Sequence, residues 1–343
     1  LTPAPGLAGS SIGYKLTVLE KIDNFQQRHA VLAIPLAVIK KFSNDKAGGL
    51  AALIAYYGFF AMFPLLLVFT TILGFVLQGN PKAQNSIIHS ALGQFPIIGN
   101  QISAHSLSGS GVGLAVGLVG TLLSGLGVTL AAQNAFNQVY AVPQRERPNF
   151  LMSRVRGLGI LAVLGVLQII STAASGSVSG GVGGVWATVG GIIFSLALNV
   201  LLFFATFRLL TDDSVATREL WPGIICAAIL WEILQSVGGV YIGHVVKNDS
   251  NTYGTFATVI GLLVWLHLGA QAVLYSAELN TVITDGLWPR SLFGAKREED
   301  KRALTGVAKT QEQVPPQRVH VSFDEEQSDG DHSSAGTRTR GSS

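Results

Sequence analysis

Charge is the property this chain has least of. Only 13% of its 343 residues are Asp, Glu, Lys or Arg, where a soluble domain carries about 25%. With 48% hydrophobic residues and a mean hydropathy of +0.44, that shortage excludes an ordinary soluble globular protein. Cysteine is equally scarce. Cys226 stands alone inside an apolar run, which rules out a disulfide framework and a thiolate metal site and leaves a small buried hydrophobe. Ligand spacings are also missing: of the seven histidines, no two are placed as metal ligands on one helix. There is no phosphate-binding Walker spacing and no nucleophile elbow. No catalytic, cofactor or metal site is therefore expected, and the chain is not read as an enzyme. The opening LTPAPGLAGSSIGY has no positive flank followed by an apolar core, so no signal peptide is expected. Leu1 in place of Met points to an alternative start or a trimmed beginning.

What is present is a series of long uncharged intervals. The stretch YGTFATVIGLLVWLHLGAQAVLYSAELN (253–280) has no charge before Glu278. At 1.5 Å per helical residue it reaches across about 30 Å of hydrocarbon. Five further stretches precede it, at about 50–77, 112–135, 158–174, 185–207 and 221–240. The expected fold is all-α: a polytopic membrane protein of six transmembrane helices over 47–285, preceded by a cytoplasmic segment, 1–46, with an amphipathic helix. A charged, Ser- and Gly-rich tail, 286–343, is expected to be mostly disordered.

Local features refine this plan. Residues 14–46 place Val18, Ile22, Phe25 and Leu32 at helical spacing among Lys15, Lys21, Arg28, Lys40, Lys41 and Lys46. They read as a helix on the bilayer surface with its cations toward anionic lipid headgroups at the cytoplasmic face. The run AVLAIPLAVI (30–39) is too short to span and is expected to break at Pro35. In the first span Pro64 removes a backbone donor and predicts a kink or an open carbonyl. The connector 78–111 is polar, with a short helix at 83–94. In the second span Gly113, Gly117, Gly120, Ser124 and Gly127 form one smooth face for close helix approach. The run SGSVSGGVGG (175–184) reads as a hairpin turn.

The pI near 9.0 does not predict nucleic-acid binding, because the cations sit in connectors and tails. In the six-span arrangement twenty-one Lys and Arg fall on one side and two on the other. This puts both termini in the cytoplasm. Partners are thus the lipid bilayer and a possible second copy in a homo-oligomer.

Ionisable groups inside the spans are the candidates for function. Glu232 lies roughly 18 Å into the fifth span. Ala228, Gln235, Ser236 and Gly239 share its face, which should point inward. His267, Gln271 and Glu278 share a face of the sixth span. One reading has Glu232 and His267 facing each other in a proton-linked or polar-substrate pathway. The other has each bonded to a neighbouring helix. Glu278, near the cytoplasmic interface, reads as an ion-pair partner of Arg208 or Arg218.

Three passages resemble the YihY/BrkB family of bacterial inner-membrane proteins, whose older name, ribonuclease BN, is regarded as a mistaken assignment. They are AYYGFFAMFPLLL (55–67), QNAFNQVYAVPQRERPNF (133–150), and WPGIICAAILWEILQSVGGVYI together with the 253–280 stretch. The similarity runs over roughly 40–285. Glu232, Glu278, Asn137, Tyr56 and Pro64 fall on matching positions, whereas at His267 the family usually carries an aromatic such as Tyr. The resemblance implies a fold and a bacterial inner membrane and brings no established site residues. Movement of a small molecule, ion or lipid is the favoured function. A non-transporting envelope scaffold is the alternative, and a membrane-bound ribonuclease comes third.

Overall fold

The structure is a computed structural model that describes residues 21, 23–76, 111–179, 185–211, 215–248, 254–292 and 297–323. Its regular elements are all helical. They are α1 (Ala30–Asn44), α2 (Ala47–Val76), α3 (Gly111–Val139), α4 (Phe150–Ser179), α5 (Val185–Leu210), α6 (Trp221–Asn248), α7 (Gly254–Thr284) and α8 (Glu298–Lys309), with short 3₁₀ turns at Gln144–Glu146 and Thr217–Leu220. The expected short helix at 83–94 lies outside the described residues.

Five helices, α2, α3, α4, α6 and α7, are long and apolar enough to cross a membrane. The fourth expected span, α5, is helical over 26 residues, but its described apolar stretch, Leu196–Leu210, is shorter than the others. Five crossing-length helices are thus found among the described residues. The outer faces of the bundle carry exposed Val116, Ile193, Val237, Ile260 and Val264, a surface suited to lipid tails and unsuited to water.

The small-residue face of α3 packs on α2. A β-carbon at Gly127 would lie 2.6 Å from Tyr57, one at Gly120 would lie 2.9 Å from Pro64, and one at Gly117 would lie 2.9 Å from Val68. Helix α2 runs on through Pro64 without interruption, the proline ring lying against Gly120. The same device recurs between α6 and α7, where a β-carbon at Gly238 would fall 2.1 Å from the Trp265 ring. In lipid, where apolar burial gives little drive for association, such close approach gathers the dispersion contacts that hold helices together.

Helix α7 touches α1, α2, α3 and α6. The best-buried core lies around its C-terminal half: Phe42, Phe136, Val139, Phe207, Ile224, Leu274 and Ala277. Phe42 stacks on Tyr275 at 3.9 Å, and Phe136 meets Phe207 edge-on at 5.3 Å. This is the cation-rich end of the bundle.

Four expectations are corrected here. Helix α1 runs unbroken through Pro35, and the break in the N-terminal segment falls at His29, whose extended φ and ψ of −118° and 106° start α1. Lys41 does not face headgroups; it is 5% exposed. Half of the Gly-rich run after 174 is helical, since α4 continues to Ser179. The C-terminal segment, expected without fixed structure, carries α8, which buries Asp300 and Ala303. Ala303 packs with Ala37, Val38, Val282 and Leu287, and Glu298, Glu299 and Asp300 place negative charge at the positive end of the helix dipole.

Gly238→Val is expected to lower stability by about 1–3 kcal/mol through overpacking, with partial recovery when Trp265→Phe is added. Thermal unfolding of the detergent-solubilised protein checks this, and an unchanged midpoint for Gly238→Val would contradict the close packing.

Candidate functional site: a buried ion network at the cation-rich end

Lys41 lies in the last turn of α1 and Asp45 follows four residues later, so both project on one side. Helix α3 ends at Val139, and its terminal carbonyls have no partner within the helix. Lys41 meets both needs. Its ammonium donates to Asp45 Oδ2 at 2.6 Å, to the Val139 carbonyl at 2.8 Å and to Glu278 Oε2 on α7 at 2.8 Å. All three N–H donors of a lysine are then used. The side chains of Lys41, Asp45 and Glu278 are 7%, 2% and 0% exposed. Burial alone would push the Lys41 ammonium down, but Glu278 and Asp45 outweigh it and hold the group above its ordinary value. Glu278 Oε1, equally buried, has no donor among the described residues.

A second layer surrounds this one. Asn280 accepts from the Gly223 N–H in the first turn of α6 at 3.3 Å and donates to the Tyr140 hydroxyl at 3.1 Å. It thereby ties α7 to an otherwise open amide and to the end of α3. Gly223 is required there, because a β-carbon would lie 2.8 Å from the Ser276 carbonyl. Burial raises the Tyr140 hydroxyl above its usual value and keeps it protonated. Arg156 caps the end of α5 through the carbonyls of Leu209 and Thr211, at 3.0 and 2.9 Å. Cations at this end therefore serve helix C-termini, where carbonyls and dipole both favour them.

The third layer is built by the C-terminal segment. Asp300 accepts from Arg290 Nε at 2.9 Å, from the Ser291 N–H at 2.9 Å and from Lys40 Nζ at 3.0 Å. Asp23 accepts from Gln26 and from the Leu292 N–H at 3.0 and 2.9 Å. Burial would raise Asp300, but the bonds from Ser291, Arg290 and Lys40 prevail and hold it below the usual carboxylate value. Between α8 and the Lys41 layer lies a cleft of about 530 Å³, lined by Lys41, Asp45, Val139, Asp285, Lys301 and Arg302 among others.

The residues singled out from the sequence are distributed differently from that expectation. Glu278 is an ion-pair partner, and its partner among the described residues is Lys41 of α1. Glu232 is half-buried and accepts from Asn199 of α5 at 2.6 Å. Among the described residues no hydrogen bond or ion pair joins Glu232 to His267. The reason is register. At this depth Trp265 and Gly269 of α7 meet α6, against Gly238 and Trp231. His267, two positions from each, is turned about 200° away. Gln271 and Gln235 are half-buried, and Gln235 Oε1 has no partner. Ser236, expected to point inward, is exposed. Among the described residues no group of three His, Cys, Asp or Glu could hold a metal ion. Lys41 was expected at the headgroups, and Asp45, Asn280, Tyr140, Arg290 and Asp300 carried no expectation. The i, i+4 spacing of Lys41 and Asp45 was the one available signal.

Comparison with known proteins agrees with this architecture. Residues 38–299 match the family described as virulence factor BrkB. The chain belongs to that family. The matched region runs from within α1 to the start of α8, so it holds Lys41, Asp45, Val139 and Glu278, while Asp23 and Asp300 of the outer layer fall outside it. Among relatives, the inner membrane protein YhjD of Escherichia coli (strain K12) is 24% identical over 78% of this chain and 86% of its own length. A Bacillus subtilis (strain 168) protein, provisionally named as the ribonuclease-like protein YfkH, is 22% identical over 72% of this chain and 93% of its own. The UPF0761 membrane protein RSc1559 of Ralstonia nicotianae is 27% identical over 52% of this chain and 42% of its own. No solved structure matches the chain. This BrkB-family chain is thus a multi-pass membrane protein.

Two outcomes follow from the network. Lys41→Met, which strands two buried carboxyls, is expected to destabilise by about 3–5 kcal/mol; Glu278→Gln should cost less, because Lys41 keeps Asp45. Thermal denaturation of both variants decides, and a reversed order would contradict the geometry. Asp300 has a depressed folded-state value, so its contribution is present above the unfolded carboxylate value of about 3.9 and is lost as pH falls through the folded value. Limited proteolysis should release α8 at acidic pH, and Asp300→Asn should release it at neutral pH.

Proposed function

We propose that this BrkB-family protein moves a small molecule, an ion or a lipid across or within a bacterial inner membrane, with the Lys41–Asp45–Glu278 network as the closure at its cytoplasmic end. In this reading α5 is the sixth crossing. Both termini are cytoplasmic, as the one-sided distribution of Lys and Arg favours. The protein is not an enzyme in this reading, and anionic headgroups meet the exposed cations of the N-terminal segment.

One observation carries the proposal: a buried Lys–Glu pair at 2.8 Å joins α1 to α7. Removing two charges from water is costly, and apolar side chains of similar volume would hold the helices as well or better. Ionisable groups kept within membrane helices mark pathways and switches by default. A pair that is either joined or parted gives a two-state element of the kind a gate needs. Glu232 with Asn199 supplies a second polar station deeper in the bundle.

A scaffold is the second reading, and the close fits at Gly127 and Gly238 favour it, since a rigid dry bundle needs such contacts. Glu232→Cys in a Cys226→Ser background separates the two. A membrane-impermeant maleimide should label position 232 in intact vesicles if a water-filled path exists. If position 232 stays unlabelled while Arg302→Cys, on the exposed face of α8, reacts in opened vesicles, the scaffold reading stands. Reaction of Arg302→Cys in intact cells would contradict the cytoplasmic placement of the tail.

A further inference from the structure

The network at the end of α7 holds two carboxyls and one ammonium, and its charges do not balance. With both carboxyls ionised, Asp45, Glu278 and Lys41 would leave one negative charge in excess where side chains are at most 7% exposed. Lys41 has nothing more to give, because its three donors are committed. Glu278 Oε1 is buried with no donor among the described residues. Asp45 Oδ2 and Glu278 Oε2 both accept from the Lys41 ammonium, at 2.6 and 2.8 Å, so the two carboxyls flank one cation. Two carboxylates that share one cation repel each other, and a proton on either relieves that repulsion. The charged and titratable groups facing Glu278 are Lys41 of α1, Asp45 after it, Asp285 beyond α7 and Tyr140 after α3, with Glu219 behind Asp285. Among these Lys41 alone is a cation, and it bonds both carboxyls; from α8, Lys301, Arg302, Lys309 and Glu298 line the cleft beside Asp45.

We propose that Asp45 and Glu278 together form a binding site for one exchangeable proton, held when α1 is docked on α7 and released when the two part. With that proton the network is neutral, so burial costs least. On release the O–H bond breaks, its electron pair stays on the carboxylate, and the proton leaves on a water of the cleft that Lys41 and Asp45 line. The remaining negative charge is then relieved by water reaching the network, which requires α1 to move off α7. The docked state binds one proton more than the parted state. Docking is therefore favoured as pH falls and weakened as pH rises, by at most about tenfold per pH unit. In naming the proton as coupling ion the inference rests on the transport reading, but occupancy of the site can be measured without any transport.

The test uses the full chain in lipid nanodiscs. Infrared difference spectra report protonated carboxyls. Spin labels at Ile39→Cys and Ile283→Cys, both on exposed positions, report docking in a Cys226→Ser background. A protonated-carboxyl band should disappear as pH rises, together with the short label distance. Glu278→Gln should lack the band and lose the pH dependence of docking. Asp45→Asn, which keeps Lys41 paired with Glu278, should do the same and covers the case in which Glu278→Gln does not fold. No band at any pH while the labels stay docked overturns the proposal, as does a band unchanged in both variants. In proteoliposomes loaded with a pH-sensitive dye, a band without proton flux supports the site and overturns the transport reading. Flux without a band overturns the site alone.

Discussion

One ammonium group organises the cation-rich end of this molecule. Lys41 reaches from α1 to the end of α3 and to α7, and each of its three donors goes to a different segment of chain. A lysine in that position cannot be exchanged for an apolar side chain without leaving the Val139 carbonyl and two carboxyls unserved. Its burial is tolerable only because the acceptors are already in place, and the acceptors are tolerable only because of Lys41. Such mutual dependence makes the arrangement all-or-none.

Packing elsewhere follows a different logic. The α2–α3 and α6–α7 contacts are apolar and close, with glycine facing Tyr57, Pro64 and Trp265. These surfaces have one good fit and little reason to slide. Mobility, where it exists, belongs at the polar end, where α1 and α8 are held by hydrogen bonds and ion pairs instead of interdigitated rings. Asp300 makes α8 part of that end. It binds Lys40, the neighbour of Lys41, so the outer and inner layers share one helix turn.

Much of the architecture was legible in the residues. Long uncharged intervals dictated the crossing-length helices, because a backbone without water must satisfy its own hydrogen bonds. The glycine spacing of α3 announced a close neighbour, and α2 is that neighbour. The AYYGFFAMFPLLL and WPGIICAAILWEIL passages carried the family resemblance that the comparison bears out. Legibility failed where charge was concerned. Lys41 looks like its neighbours Lys40 and Lys46, and nothing local says which of them turns inward. Helix α8 has few apolar residues and is held largely by Asp300 and Ala303, so its composition resembled that of an unstructured tail. The Glu232–His267 pairing failed on rotation about the α7 axis, which depth along a helix does not specify.

By itself, then, the sequence determined the helices, their apolar outer faces and the segregation of cations, since these depend on composition and on spacing along a single segment. The tertiary structure alone decided which helix faces meet, and through them that Lys41, Asp45 and Glu278 share one buried site while Asn199 takes Glu232. Those partners come from segments far apart in the chain. Their meeting depends on how each helix is turned about its own axis, and that rotation is set by the whole packed bundle.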